Sequence, residues 1–226
     1  MAPAPVVLVH GLGSSFEHGW RAAGWIDLLE DAARPVIPVD ILGHGTSEKP
    51  HDPSAYAHLE AGVAAALPDE PVDAIGFSLG AQLLLRLAAV EPARFERLVV
   101  IGVGANLFRH DDTDRLARAF EAGIEPEDVG ARVFVSVAAQ AGNDPLAIAA
   151  CLRRPASPFS AEELARVTCP VLVVLGDRDF AGPADALLEA LPDARLVTLR
   201  GVDHFQSVRE FACIDAALDF IGAAPR

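Results

Sequence analysis

Positive charge is scarce in this chain. Lys49 is its single lysine, and Asp and Glu outnumber Lys and Arg by 32 to 18, a formal net charge of −14. A surface of that sign repels phosphate backbones and anionic headgroups, so neither nucleic acid nor a membrane surface is expected as a partner. Cysteine is sparse too: Cys151, Cys169 and Cys213 are odd in number and widely scattered. No pair has the spacing of a metal or redox site, and buried apolar thiols are the expectation, with no metal or cofactor called for. Long apolar runs are also missing. The start, MAPAPVVLVHG, lacks a basic leader region, and its apolar run is too short to span a bilayer. A cytoplasmic location is the default expectation, a processed secreted form the alternative. No internal repeat or low-complexity tract is visible.

The composition is otherwise that of a chain able to build a core: 226 residues, 51% hydrophobic and 22% charged, enough for one sizeable domain. Short β-branched runs alternate with longer Ala/Leu-rich segments, as when parallel strands are joined by helical crossovers. Strands are predicted at Val6–Val9, Val36–Val39, Val72–Gly76, Leu98–Gly102, Val171–Leu175 and Leu196–Leu199. Most are continuously apolar, as strands covered by helices on both faces must be. Helices are predicted over Trp20–Ala33, Tyr56–Ala66, Leu79–Val90, Pro183–Ala190 and Gln206–Ile221. One interval breaks the rhythm. Residues 105–168 hold no strong strand, only helical patterns near Asp114–Ala122, Glu127–Ala141, Pro145–Leu152 and Ala161–Val167, punctuated by "AGIEP", "AGND" and "RRPASP". That is too long for a simple crossover and reads as an inserted helical cap.

Chemistry concentrates at three loops. Between a predicted strand and a predicted helix stands Gly76-Phe77-Ser78-Leu79-Gly80, a G-x-S-x-G turn in the context a nucleophile elbow requires. Glycines at the flanking positions avoid clashes between closely approaching chains, and the turn lifts Ser78 Oγ to a helix N-terminus that favours developing negative charge. A helix-capping serine is the plain alternative. A serine hydroxyl is a poor nucleophile unless a base activates it and an acid orients that base. Both residue types follow later, each just past a strand: Asp177 and Asp179 in "GDRDFAGP", and His204 in "RGVDHF".

In sum the chain resembles the α/β-hydrolase superfamily along nearly its whole length. "VLVHGLGSS" is similar to that family's oxyanion loop, "VDILGHGTSEKP" to its D-x-x-G-H-G-x-S loop, and "IGFSLG", "VLGDRDFAGP" and "LRGVDHF" to its elbow, acid loop and histidine loop. The resemblance implies residues 1–226 as one α/β-hydrolase domain, a shortened, mainly parallel sheet of about six strands flanked by helices, with 105–168 as the cap. It implies a catalytic triad of Ser78, Asp179 and His204. Asp179 is preferred to Asp177 because relatives commonly place the acid three residues after the glycine and four before a proline, here Gly176 and Pro183. It also implies an oxyanion hole from the backbone amides of Leu12 and Leu79. Dehalogenases and epoxide hydrolases of this fold use an aspartate at the elbow, so Ser78 argues against both.

The expectation is therefore a serine hydrolase of carboxylic esters acting on a small molecule, as a monomer or homodimer. The alternatives are a C–C bond hydrolase, thioesterase or menaquinone-pathway-type synthase using the same triad, and a non-catalytic ligand-binding protein of the fold. The C–C reading wants an arginine for a substrate carboxylate, with Arg86, Arg109, Arg115, Arg118, Arg153 and Arg154 as candidates. His10 and His44 read as structural hydrogen-bonders, and His18, His51, His58 and His110 as solvated. Trp20 and Trp25 read as core packing, while Phe77 faces either the pocket or the sheet. Among the apolar residues of the interval, Leu107, Phe108, Leu116, Phe120, Val133, Phe134, Val137 and Leu146, a minority is expected to roof the pocket.

Overall fold

A computed structural model describes residues 3–110, 113–122 and 128–224. Six strands form one sheet: β1 (Val6–Val9), β2 (Val36–Val39), β3 (Val72–Phe77), β4 (Phe95–Ile101), β5 (Val171–Gly176) and β6 (Ala194–Leu199). Every pairing is parallel, in the order β2-β1-β3-β4-β5-β6. The helices between them are α1 (Trp25–Asp31), α2 (Leu59–Ala66), α3 (Leu79–Val90), α4 (Thr113–Ala122), α5 (Val129–Gln140), α6 (Pro145–Leu152), α7 (Ala161–Leu164), α8 (Asp185–Ala190) and α9 (Phe211–Phe220).

Strand alternation divides the core in two. Val7 and Val9 of β1 pack with α2, α3 and α8 on one face, and Val6 and Leu8 pack with α1 and α9 on the other. A third apolar cluster joins α4, α5 and α6 through Phe120, Ala138, Ile148 and Leu152. Asp73 breaks the apolar run of β3: it is fully buried and ion-paired to the equally buried Arg34. All three cysteines are free and buried, and burial pushes the thiols up, Cys151 and Cys169 to about 11 and Cys213 to about 12.

Element boundaries differ where glycine or a tighter turn intervenes. The segment expected as one helix from Trp20 is a π-turn over Phe16–Arg21 followed by α1, broken by Gly24 in the left-handed region at φ 81°. The segments expected to begin at Tyr56, Pro183 and Gln206 become fully α-helical only at Leu59, Asp185 and Phe211. The expected start of the second helix in the long interval, Glu127, and "GIEP" at 123–126 lie outside the described residues, where α5 runs from Val129. The interval between β4 and β5 is helical, carrying α4 to α7.

The topology fixes where a site can form. The chain leaves β1 for the β2 edge and leaves β3 for β4 on the opposite side. The loops after two adjacent strands therefore diverge and open a crevice at their carboxyl ends.

Candidate active site

The two crevice loops belong to β1 and β3. At the end of β3 the chain turns into α3 at Ser78, whose φ of 50° and ψ of −111° make it one of two non-glycine residues with positive φ among those described. Such a conformation costs about 1–3 kcal/mol and persists only where the surroundings enforce it. They do so here. A Cβ at Gly76 would lie 2.7 Å from the Ala81 nitrogen, and one at Gly80 would lie 2.2 Å from the Val9 carbonyl oxygen. The Ser78 amide donates to Ile101 O at 2.8 Å, tying the elbow to β4.

The loops after β5 and β6 bring the other two side chains over. His204 Nε2 lies 3.0 Å from Ser78 Oγ. On the far side of the ring, His204 Nδ1 lies 2.9 and 3.0 Å from the two carboxylate oxygens of Asp179. Asp179 Oδ1 also accepts from the Ala181 amide at 2.8 Å, which holds the carboxylate edge toward the ring. His204 and Asp179 are buried, while Ser78 is half-buried and open to two cavities. Asp177 takes no part; its Oδ1 accepts from the Gly201 amide at 2.7 Å and joins the two loops from outside.

Leu12 and Leu79 both line the larger cavity beside Ser78. Leu79 opens α3, so its amide has no intrahelical acceptor, and neither amide donates to any acceptor among the described residues. Both residues thus stand at the cavity that Ser78 opens into, with amides free of an acceptor among the described residues. In the neighbouring loop His10 is buried and neutral. Nδ1 donates to Gly11 O at 2.8 Å and Nε2 accepts from the Ile41 amide at 3.1 Å, while burial holds its pKa below the ordinary histidine value. His44 packs 5.2 Å from it, centroid to centroid, and is driven down to about 3, first by burial and then by His10.

Two cavities meet at the serine. The smaller, about 220 Å³, has apolar walls from Trp20, Phe77, Phe134, Val137, Phe205 and Val208. Its polar lining includes Ser14, His18, Gln140 and Arg209. The larger, about 310 Å³, runs beneath the helical interval past Leu107, Leu116 and Phe180, with Asn106, Arg109 and Arg154 as polar lining. Phe134 of α5 lies in both walls, with its ring centroid 5.0 Å from that of Phe205 and 6.3 Å from that of Phe180. Phe180 in turn stacks on His204 at 4.3 Å.

Phe77 faces the cavity, and so does Trp20, although Trp20 and Trp25 are both buried and packed edge-to-face at 5.1 Å. Of the apolar residues in the interval, Leu107, Leu116, Phe134 and Val137 reach a cavity, whereas Leu146 is exposed. Among the described residues, ion pairs join Arg86 to Glu163, Arg115 to Asp128, Arg118 to Asp114, and Arg153 to Asp114 and Glu121. His18 departs from expectation, being half-buried in the smaller cavity rather than solvated, and His110 lines the larger one. Arg209 was not singled out by any pattern; it sits in a short turn past His204, a position that only the folded loop brings to the cavity. Among the described residues no group of three or more His, Cys, Asp or Glu side chains is arranged to hold a metal ion. No described helix is long and apolar enough to cross a membrane.

Comparison with known proteins identifies the family. The chain is 38% identical over 118 residues to a 2-hydroxy-6-oxo-2,4-heptadienoate hydrolase of Pseudomonas putida, a stretch covering 49% of this chain and 41% of that protein. The match thus spans only about two fifths of that relative's length. Over 242 aligned residues it is 27% identical to the pimeloyl-[acyl-carrier protein] methyl ester esterase of Nitrosomonas europaea, covering 88% of this chain and 92% of that one. The fold superposes on the enol-lactonase of Burkholderia xenovorans LB400 with a TM-score of 0.76 at 23% identity, covering 97% and 92% of the two chains. Residues 6–212 match the alpha/beta hydrolase family, and with a parallel sheet and a strained serine elbow at the carboxyl end of β3, this chain belongs to that family.

Proposed function

We propose that this protein is a serine hydrolase that cleaves carboxylic esters of small molecules. The observation that carries the reading is the continuous hydrogen-bonded line from Ser78 Oγ through His204 to Asp179. In the proposed reaction Ser78 Oγ attacks the acyl carbon and its proton passes to His204 Nε2, while Asp179 stabilises the imidazolium that forms. The carbonyl oxygen, now an anion, is met by the amides of Leu12 and Leu79, a contribution of about 3–4 kcal/mol for each donor in enzymes of this kind. His204 then protonates the departing alkoxide. Water attacks the acyl-serine with His204 again as base, and the products are a carboxylic acid and an alcohol.

The two cavities at Ser78 provide separate space for the two sides of the ester. Residues 105–168 act in this proposal as a cap, supplying Phe134 and Val137 above the serine. A second reading, hydrolysis of a C–C bond next to a carbonyl by the same three residues, is favoured by the likeness to the Pseudomonas putida hydrolase. One experiment separates them. Wild type and Ser78→Ala are assayed on short methyl and p-nitrophenyl esters, with fluorophosphonate labelling of both. Ester turnover and labelling that Ser78→Ala abolishes support the esterase. Labelling without turnover of any ester supports the C–C reading, and an unaffected mutant rate sinks both.

A further inference from the structure

The smaller cavity has an electrostatic character opposite to that of the whole chain. The protein carries a net charge of −14, yet no Asp or Glu stands among the described residues lining this cavity. Its one permanently charged side chain is Arg209, which makes no ion pair among the described residues. The hydrogen bond recorded for its guanidinium runs from Nη2 to His18 O at 3.4 Å. A cation left without a carboxylate in so acidic a protein, facing a cavity that reaches Ser78, is a place where an anion is favoured.

The surrounding polar groups have the same bias. His18 Nδ1 lies 3.3 Å from Ser14 Oγ, and burial first, then the nearby Arg209 charge, lowers its pKa, so the ring is a neutral partner at pH 7. Gln140 lines the cavity from α5, its Nε2 donating to Ser136 Oγ at 3.0 Å. Trp20, 1% exposed, closes the apolar wall of the cavity, and its Nε1 is buried out of reach of the cavity.

We propose that the smaller cavity is a subsite for a short chain ending in a carboxylate, with Arg209 as the charged contact. At about 30 Å³ for each water-sized group, 220 Å³ holds about seven such groups, the size of a four- or five-carbon acid. The carboxylate could belong to the acyl part of the ester or to its alcohol part; His204, which must protonate the leaving oxygen, lines the same cavity. The inference rests on the hydrolase reading only in that Ser78 is the attacking group.

The test uses the full chain and two pairs of esters matched atom for atom. Monomethyl glutarate against methyl 5-methylhexanoate places the charge on the acyl side. 4-Acetoxybutanoate against 4-methylpentyl acetate places it on the alcohol side. In wild type, one charged ester should exceed its neutral partner in kcat/KM by about tenfold or more, the range expected for one charge-assisted contact. In Arg209→Gln that ratio should fall to about one. Whichever pair discriminates identifies the side. Independently, glutarate should raise the Tm of Ser78→Ala and fail to do so in Ser78→Ala/Arg209→Gln. Turnover without discrimination in either pair, with no glutarate shift, overturns the subsite and leaves the hydrolase standing. An Arg209-dependent glutarate shift with no ester turned over overturns the ester hydrolase and leaves the subsite standing. Absence of both overturns both.

Discussion

Replacing Asp179 by Asn keeps the shape of the side chain and changes one atom from acceptor to donor. The local geometry says which atom. Oδ1 accepts from the Ala181 amide at 2.8 Å, a donor that cannot turn, so the asparagine carbonyl must stay there. The new NH2 group then occupies the Oδ2 position, 3.0 Å from His204 Nδ1. Oδ1 also lies 2.9 Å from Nδ1, but as an uncharged carbonyl shared with the Ala181 amide it competes with the N–H donor at 3.0 Å; in the tautomer that this donor favours, Nδ1 accepts and the ring proton sits on Nε2. That nitrogen lies 3.0 Å from Ser78 Oγ and can no longer take the serine proton. The same tautomer inversion in a serine protease costs about 10⁴ in kcat, equivalent to about 5.5 kcal/mol at 1.36 kcal/mol per decade. We expect a loss of that order in ester turnover and in the rate of fluorophosphonate labelling, with the fold intact by circular dichroism. Asp177→Asn, whose carboxylate accepts from the loop amide of Gly201, should stay within about threefold of wild type. An Asp179→Asn enzyme within about tenfold of wild type would refute both the tautomer argument and the role assigned to Asp179.

Two further outcomes concern stability. A Cβ at Gly80 would stand 2.2 Å from Val9 O, a backbone atom that cannot move without shifting β1, so Gly80→Ala should lower stability by about 3 kcal/mol in urea denaturation. Gly62, inside α2 with open space around it, is the control: Gly62→Ala should raise stability by about 0.5–1 kcal/mol, and a loss equal to that at Gly80 would contradict the steric account. Acid should also destabilise the fold before its carboxylates titrate. His44 accepts a proton near pH 6.5 when unfolded but only at about 3 when folded, so stability falls as pH drops through that window, by about 1.4 kcal/mol per unit and about 2 kcal/mol by pH 5. His10, lowered for the same reason, acts in the same direction. An unchanged or higher urea midpoint at pH 5 than at pH 7 would overturn this.

The parallel sheet and the three chemical loops were legible because each depends on local pattern. β1 and β2 carry apolar runs bounded by turn residues, and Ser78, Asp179 and His204 each stand just past such a run. What was not legible depends on who meets whom. Asp73 looks misplaced in the β3 run until Arg34, 39 positions away, is seen beside it. The break in the first helix turns on Gly24 adopting φ 81°, a choice a glycine inside a helical pattern does not announce. His18 and Arg209 lie 191 positions apart and share a cavity wall only after the loops past β1 and β6 converge. Nor does any sequence period say that Phe134, rather than its neighbour Val133, stands above the serine.

The close backbone contacts at the glycines divide this molecule into a part that cannot vary and a part that can. Gly80 against Val9, Gly76 against Ala81 and Gly176 against Val202 press main chain on main chain, leaving no side chain whose exchange could adjust the distances. Mutation there destroys the arrangement or leaves it alone. Phe134, by contrast, enters both cavity walls with its side chain, so its exchange is expected to resize both cavities. In the proposed hydrolase, specificity would therefore vary through α5 while the groups proposed to react stay in register.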